Sequence, residues 1–220
     1  MLEVLYEDNH IIAVNKKSGD IVQGDKTGDA PLSDFVKAYI KKKYNKPGEV
    51  FLGTIHRLDR PTSGVVLYAR TSKALSRMNE QFREKKVQKT YWAVVDNSPP
   101  NTSGTLENYL QKNQKQNKSY VTKTEGGKHA LLDYKLLKKL DNFFQLEIRP
   151  KTGRHHQIRV QLAHIGSIIK GDLKYGAKRS NKDASIHLLA QKLEFIHPVT
   201  KENITIIAPA PKESIWDACK

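Results

Sequence analysis

A chain of 220 residues carries 38 Lys and Arg against 23 Asp and Glu, a formal net charge of +15. An excess that large in one compact chain favours a polyanionic partner, such as RNA, DNA or an anionic membrane surface, over a merely lysine-rich skin. Apolar runs such as Val65–Leu67 and Ile206–Ala208 fall far short of the ~20 residues that a spanning helix needs, and the N-terminal segment is acidic (Glu3, Glu7, Asp8) where an export leader is basic and then apolar. A single cysteine, Cys219, permits neither an internal disulfide nor a Cys-based zinc site. The expectation is a reduced, cytoplasmic, basic protein with no membrane association.

In chain order, Leu2–Glu7 and His10–Asn15 read as two short strands divided by the turn formers Asp8 and Asn9. Between Pro31 and Tyr44, Leu32, Phe35, Val36, Tyr39 and Ile40 make the i, i+3, i+4, i+7, i+8 stripe of an amphipathic helix. Pro31 suits its first turn, Lys41–Lys43 suit its negative end, and Pro47-Gly48 stop it. Val65–Ala69 is a β-branched apolar run, read as a buried strand. Ser72 reads as the N-cap of a helix that shows Leu75, Met78 and Phe82 on one face and ends near Lys86. Val87–Val95 alternates as a strand before Pro99-Pro100 break it.

Residues 111–128 change in character. They are Gln, Asn, Lys, Ser, Thr and Gly, relieved by Tyr120 and Val121, and read as either a long hairpin or a loop. Its lysines, with one tyrosine among them, suit phosphates and a base; a solvated loop suits them equally. Ala130–Leu140 and Phe143–Arg149 read as a hairpin turning at Asp141-Asn142. His156–Ile165 has helical character. Ile186–Ile196 and Ile204–Ile207 read as a last strand pair. Strands in neighbouring pairs predict an α+β fold: a mixed, mainly antiparallel central sheet flanked by helices and loops. No linker or repeat is evident, so residues 1–220 read as a single domain.

Three clusters could carry chemistry. His56-Arg57-Leu58-Asp59-Arg60-Pro61-Thr62-Ser63-Gly64 feeds directly into a core strand, a rigid base for presenting side chains. Taken alone it is equally a surface turn with ordinary ion pairs. Lys151-Thr152-Gly153-Arg154-His155-His156-Gln157-Ile158-Arg159-Val160 sets three cations around a Gly turn, suited to a phosphate or a carboxylate. A zinc reading of His155, His156 and His164 is weak, since adjacent histidines point apart. The third is Lys89-Thr90-Tyr91-Trp92-Ala93-Val94, whose aromatics serve sheet packing as readily as base stacking. There is no P-loop, no dinucleotide-binding Gly motif and no nucleophile elbow.

In this order, the three clusters resemble the RluA family of pseudouridine synthases. The likeness continues through His164-Ile165-Gly166, Gly171-Asp172, Tyr175-Gly176 and the tail Leu193-Glu194-Phe195-Ile196-His197-Pro198, and runs from about residue 3 to residue 211. The resemblance starts directly at the catalytic domain, so the S4-type RNA-binding domain that many members carry is not expected here. It reads Leu188-Leu189-Ala190 where many read Leu-His-Ala.

The resemblance implies isomerisation of a uridine within structured RNA, transfer RNA or large-subunit ribosomal RNA or both, in a cleft across the sheet, with no cofactor and no metal. It implies Asp59 as the essential carboxylate acting at the sugar, as nucleophile or base. Tyr91 would stack on the uracil, and Arg159 would be the guanidinium beside Asp59. Arg57 would fill the space left by the flipped base, and Ile158 would wall the uracil pocket. His56, Arg154 and Gln157 complete the expected substrate contacts. A monomer is expected. Three rivals remain: a non-catalytic RNA-binding protein of the same fold, a nucleoside hydrolase pairing Asp59 with another carboxylate such as Glu147 or Asp172, and a generic basic scaffold protein, which leaves the ordered motifs unexplained.

Overall fold

The computed structural model describes residues 2–24, 28–123 and 126–219. The elements are β1 (Val4–Glu7), β2 (Ile11–Lys16), α1 (Leu32–Lys43), β3 (Gly53–Thr54), β4 (Ser63–Ala69), α2 (Ser72–Arg83), β5 (Gln88–Val95), β6 (Ser103–Asn113) and β7 (Lys118–Thr122). They continue with β8 (Lys128–Lys139), β9 (Phe144–Pro150), α3 (Gln157–His164), a short 3-10 turn (Leu173–Tyr175), β10 (Leu188–Ile196), β11 (Asn203–Ile207) and α4 (Ser214–Ala218). Two compact units result: Met1–Gln88 with Ala190–Pro209, and Lys89–Leu189 with Ala210–Lys220. Every strand pairing whose register is described is antiparallel. Among the described residues no helix is long and apolar enough to cross a membrane.

In the first unit β1 turns into β2 because Asp8 takes the amides of His10 and Ile11 on Oδ1, at 2.7 and 2.8 Å. β2 then pairs with β4 over its whole length, Ile11 opposite Ala69 and Lys16 opposite Gly64. Every residue of β4 is buried, so both of its faces are covered. On one face Val36 and Ile40 of α1 meet Ile12, Val14, Val66 and Tyr68; α2 lies against β4 as well.

Both helices of the first unit differ in detail from the sequence expectation. Leu32, Val36 and Ile40 form the buried row of α1, whereas Phe35 is 56% exposed, because a row spaced by four drifts away from the i+3 position. Pro31 stands just outside the helix with extended backbone (ψ 154°). The second helix is capped by Thr71 rather than Ser72: Thr71 Oγ1 accepts from the amide of Ala74 at 3.1 Å. It ends at Arg83, short of Lys86.

The strands of the second unit pair in the order β5-β9-β8-β6-β7. Ala93, Val95, Leu132, Tyr134, Leu146 and Ile148 present one apolar face, on which Ile158 and Leu162 of α3 pack. The polar stretch 111–128 resolves into the end of β6, a turn and β7, with Gln111 opposite Tyr120; its residues 124–125 lie outside the described residues. The first half of β6 carries no apolar signal, because most of its residues are exposed or only partly covered. Near the C-terminus Ser214–Ala218 form α4, whose Trp216 is buried and stacks on His187.

Gly64 holds the first unit's sheet at its tightest point. Its φ is +116°, and a Cβ there would stand 2.2 Å from the carbonyl oxygen of Ala190. Neither backbone can retreat without breaking the sheet. Gly64→Ala is expected to lower stability by roughly 3 kcal/mol or more, or to prevent folding; a urea midpoint within error of wild type would contradict this.

Candidate active site

The turn that carries Asp59 rests on a buried lysine. Lys16 is the last residue of β2, on the same strand face as Ile12 and Val14, and is 0% exposed. Its Nζ donates to the carbonyls of Lys17 (3.0 Å), Arg60 (2.9 Å) and Thr62 (2.7 Å), so each of its three N–H groups has an acceptor. Burial pulls its pKa down to about 8, while the carboxylates of Asp20 and Asp59 pull it upward and Arg60 lowers it further. At neutral pH it is therefore still an ammonium. Thr62 N donates to Asp59 O at 3.0 Å and Gly19 N to Arg60 O at 3.0 Å, which closes the turn on both sides.

Asp59 itself is partly exposed, and Arg57 and Arg60 are exposed. Arg60 reaches Asp29 at 2.8 Å on the surface, a pair worth little to stability. His56 faces inward: its Nε2 accepts the Leu67 amide at 3.1 Å, and its ring stacks on Phe82 at 5.3 Å. An imidazole nitrogen that accepts from an amide is unprotonated, so this contact ties the turn to β4.

The second cluster lies in the other unit, on the loop that enters α3. Gln157 organises it. Its Oε1 accepts from Thr152 Oγ1 (2.8 Å) and from the Arg154 amide (3.0 Å), and its Nε2 donates to Leu131 O (3.1 Å). The carboxamide is thus committed to the shape of the loop. Arg154 is exposed, anchored by Nε to His129 O at 2.8 Å. Ile158 belongs to the core cluster against which Tyr91 of β5 packs, so these two predicted site residues meet on one apolar face.

Arg159 is almost fully buried and grips Asp172 in a two-point pair, Nε to Oδ2 at 2.7 Å and Nη2 to Oδ1 at 2.8 Å. Asp172 is 1% exposed, so its carboxylate is held by Arg159. Glu147, the other acid weighed for a hydrolase, pairs with Arg149 at 2.9 Å.

Tyr175 completes the framework. Its ring lies 5.1 Å from the Arg159 guanidinium. Its hydroxyl accepts the Ser119 amide (2.9 Å) and stands 2.9 Å from His156 Nδ1. His156 adopts a left-handed backbone (φ 52°), which costs about 1 kcal/mol or more; this backbone brings its ring onto that of His155 at 3.8 Å, against the expectation that adjacent histidines point apart. Burial first, then the nearby charges of Arg159, His155, Lys174 and Lys112, push its pKa down to about 2. It remains a neutral ring at any physiological pH.

Sequence reasoning assigned no role to Lys16, Tyr175 or Ser119, and weighed Asp172 only as a second acid. The one available signal for Lys16 was its place where the inward rhythm of β2 calls for an apolar residue. Asp172 and Tyr175 stood inside the quoted motifs, without a sequence cue to their partners.

The RNA pseudouridylate synthase family profile matches residues 10–164. The ribosomal large subunit pseudouridine synthase C of Buchnera aphidicola subsp. Baizongia pistaciae is 36% identical over 214 residues, covering 94% of this chain and 66% of that protein. The tRNA pseudouridine synthase C of Haemophilus influenzae is 34% identical, covering 94% of this chain and 92% of its own length. The solved structure of human RNA pseudouridylate synthase domain containing 4 superposes with a TM-score of 0.81 over 99% of this chain and 92% of that one, at 22% identity. The chain belongs to the RNA pseudouridylate synthase family. It spans just under two thirds of the length of the Buchnera relative.

The dependence of the Asp59 turn on Lys16 is open to measurement. Lys16→Met strands the Thr62 carbonyl and weakens the bonding of two others. It is expected to lower stability by about 2 kcal/mol or more. An unchanged denaturant midpoint would contradict the role given to Lys16.

Proposed function

We propose that the chain is an RNA pseudouridine synthase that isomerises one or more uridines in structured RNA, transfer RNA or large-subunit ribosomal RNA or both, without a cofactor. The observation that carries this reading is the family match across residues 10–164, which contains the Asp59 turn. Support for the substrate comes from the net charge of +15 and from the relatives, whose names specify the ribosomal large subunit and tRNA. RNA of those kinds is cytoplasmic, in keeping with a chain that has one cysteine.

On this reading, residues 1–220 act as one catalytic domain, with Asp59, Tyr91 and Arg159 serving one reaction. The reaction breaks N1–C1′, turns the uracil and bonds C5 to C1′; the C5 proton leaves, N1 takes up a proton, and the composition is unchanged. Asp59 acts at the sugar, where a carboxylate attacks an electron-poor C1′ or removes a ribose proton. Arg159, its direction fixed by Asp172, is the cationic member of the catalytic set. Tyr91 stacks on the uracil face, with Ile158 behind it.

A base paired or stacked in RNA must first be flipped out, at a cost of a few kcal/mol. Arg57, exposed beside Asp59, recovers part of that by filling the vacated space. His56 and Gln157 serve through the loops they fix, and Arg154 reaches the RNA from its exposed position.

The reaction releases tritium from RNA whose uridines are labelled at C5. Wild-type protein is expected to release it, whereas Asp59→Asn, which keeps the shape and loses the charge, releases none while RNA affinity stays nearly unchanged. Substantial release by Asp59→Asn, or none by wild type on bulk cellular RNA from cells lacking this gene, would overturn the assignment.

A further inference from the structure

Lys89 stands out among the lysines of the second unit. It lies on β5 two residues before Tyr91 and four before Ala93, so all three side chains leave the same face of the strand. Tyr91 and Ala93 sit on the apolar cluster that includes Ile158. Lys89 therefore occupies the outer end of the surface on which Tyr91 lies. Its ammonium approaches the α3 entry loop closely: a Cβ added to Gly153 would be 3.7 Å from Nζ. Gly153 is exposed, so the group is reachable from solvent along the bare glycine backbone.

Other lysines of the second unit have partners. Lys151 pairs with Asp133 at 3.2 Å, and Lys118 lies over the rings of Tyr120 and Tyr175. The Lys89 ammonium makes no hydrogen bond or ion pair among the described residues. It is only partly exposed, and burial alone lowers its pKa, with no carboxylate opposing the shift. Holding a half-dehydrated ammonium without a counter-ion costs the folded protein stability. An anion arriving at Lys89 would recover that cost, and lysine serves phosphate well as a compact point charge.

We propose that Lys89 is a phosphate-binding residue, whose ammonium takes a backbone phosphate of the RNA strand next to the uridine that Tyr91 holds. The inference rests on the RNA-modifying reading and adds to it a specific anion contact on the uracil-stacking face. A uracil carbonyl is the competing partner for an ammonium in this position, and the two differ in salt dependence. A phosphate contact releases a counterion; a carbonyl contact does not.

The probe is a fluorescently labelled oligouridylate, with affinity measured over a range of salt concentration. Lys89→Met is expected to weaken binding by about tenfold at low salt and to make the log–log salt slope shallower by about 0.7, the value for one phosphate on a single strand. Lys89→Arg should keep the wild-type slope. Because the methionine variant no longer buries an unpaired charge, its Tm should equal or exceed that of wild type. An unchanged slope and affinity in Lys89→Met, a loss confined to turnover, or a fallen Tm would each overturn the proposal. The two readings fail separately: wild-type turnover with an unaltered Lys89→Met slope removes the phosphate contact alone, whereas tight, salt-sensitive binding without tritium release removes the activity and leaves the Lys89 comparison intact.

Discussion

The Asp59 turn depends on one buried charge. Five residues of polar chain, Asp59 to Ser63, must cross from an exposed segment into a strand buried on both faces. Carbonyls in such a crossing need donors. Lys16 supplies them from beneath, one ammonium to three oxygens from two chain segments. A hydroxyl or amide side chain offers at most two hydrogens, and arginine's fork is planar. Only a lysine delivers three donors in a converging, tetrahedral arrangement from the end of a strand. The cost is a desolvated cation, moderated by the Asp20 and Asp59 carboxylates. The residue proposed to do chemistry thus contributes to holding its own support in place.

In the second unit the corresponding constraint is the buried Arg159–Asp172 pair. A pair this deep is poor evidence of stability, since its dehydration offsets much of its attraction. What it provides is direction: two parallel hydrogen bonds leave the guanidinium plane little freedom to rotate. Tyr175 extends the framework to the β6–β7 hairpin through Ser119 and to the α3 entry through His156. Removing the Tyr175 hydroxyl would disturb hairpin, loop and guanidinium together. The left-handed His156 fits this picture, as strain at one residue persists only where its surroundings fix it.

Much of the fold could be read from the sequence because the pattern and the packing agree. β4 is a continuous apolar run and is buried on both faces; α1 has its four-residue row; Asp141-Asn142 mark a turn that the structure closes from Leu140 N to Phe143 O. β6 was illegible because its early residues gain nothing from burial and owe their strand geometry to pairing with β8. The Ser72-for-Thr71 slip arose because both hydroxyls are competent caps, and only the backbone angles decide which one closes the helix. The candidate site divided in the same way. Asp59, Tyr91 and Arg159 were visible as residues in ordered motifs. Lys16 and the Asp172 pairing with Arg159 were not, because a long-range hydrogen bond leaves no periodicity behind.

The central claim concerns the fate of the glycosidic bond. An isomerase returns the base to the same sugar; a hydrolase sharing the carboxylate would discard it. With Asp172 held by Arg159 and Glu147 by Arg149, both acids weighed for a hydrolase already have partners. The decisive measurement is mass-spectrometric nucleoside analysis of RNA incubated with the purified protein. The account predicts that uridine is lost one for one to pseudouridine, a nucleoside of identical mass and different retention, with no free uracil. Free uracil and abasic sites, or an unchanged uridine content in RNA from cells lacking this gene, would contradict it.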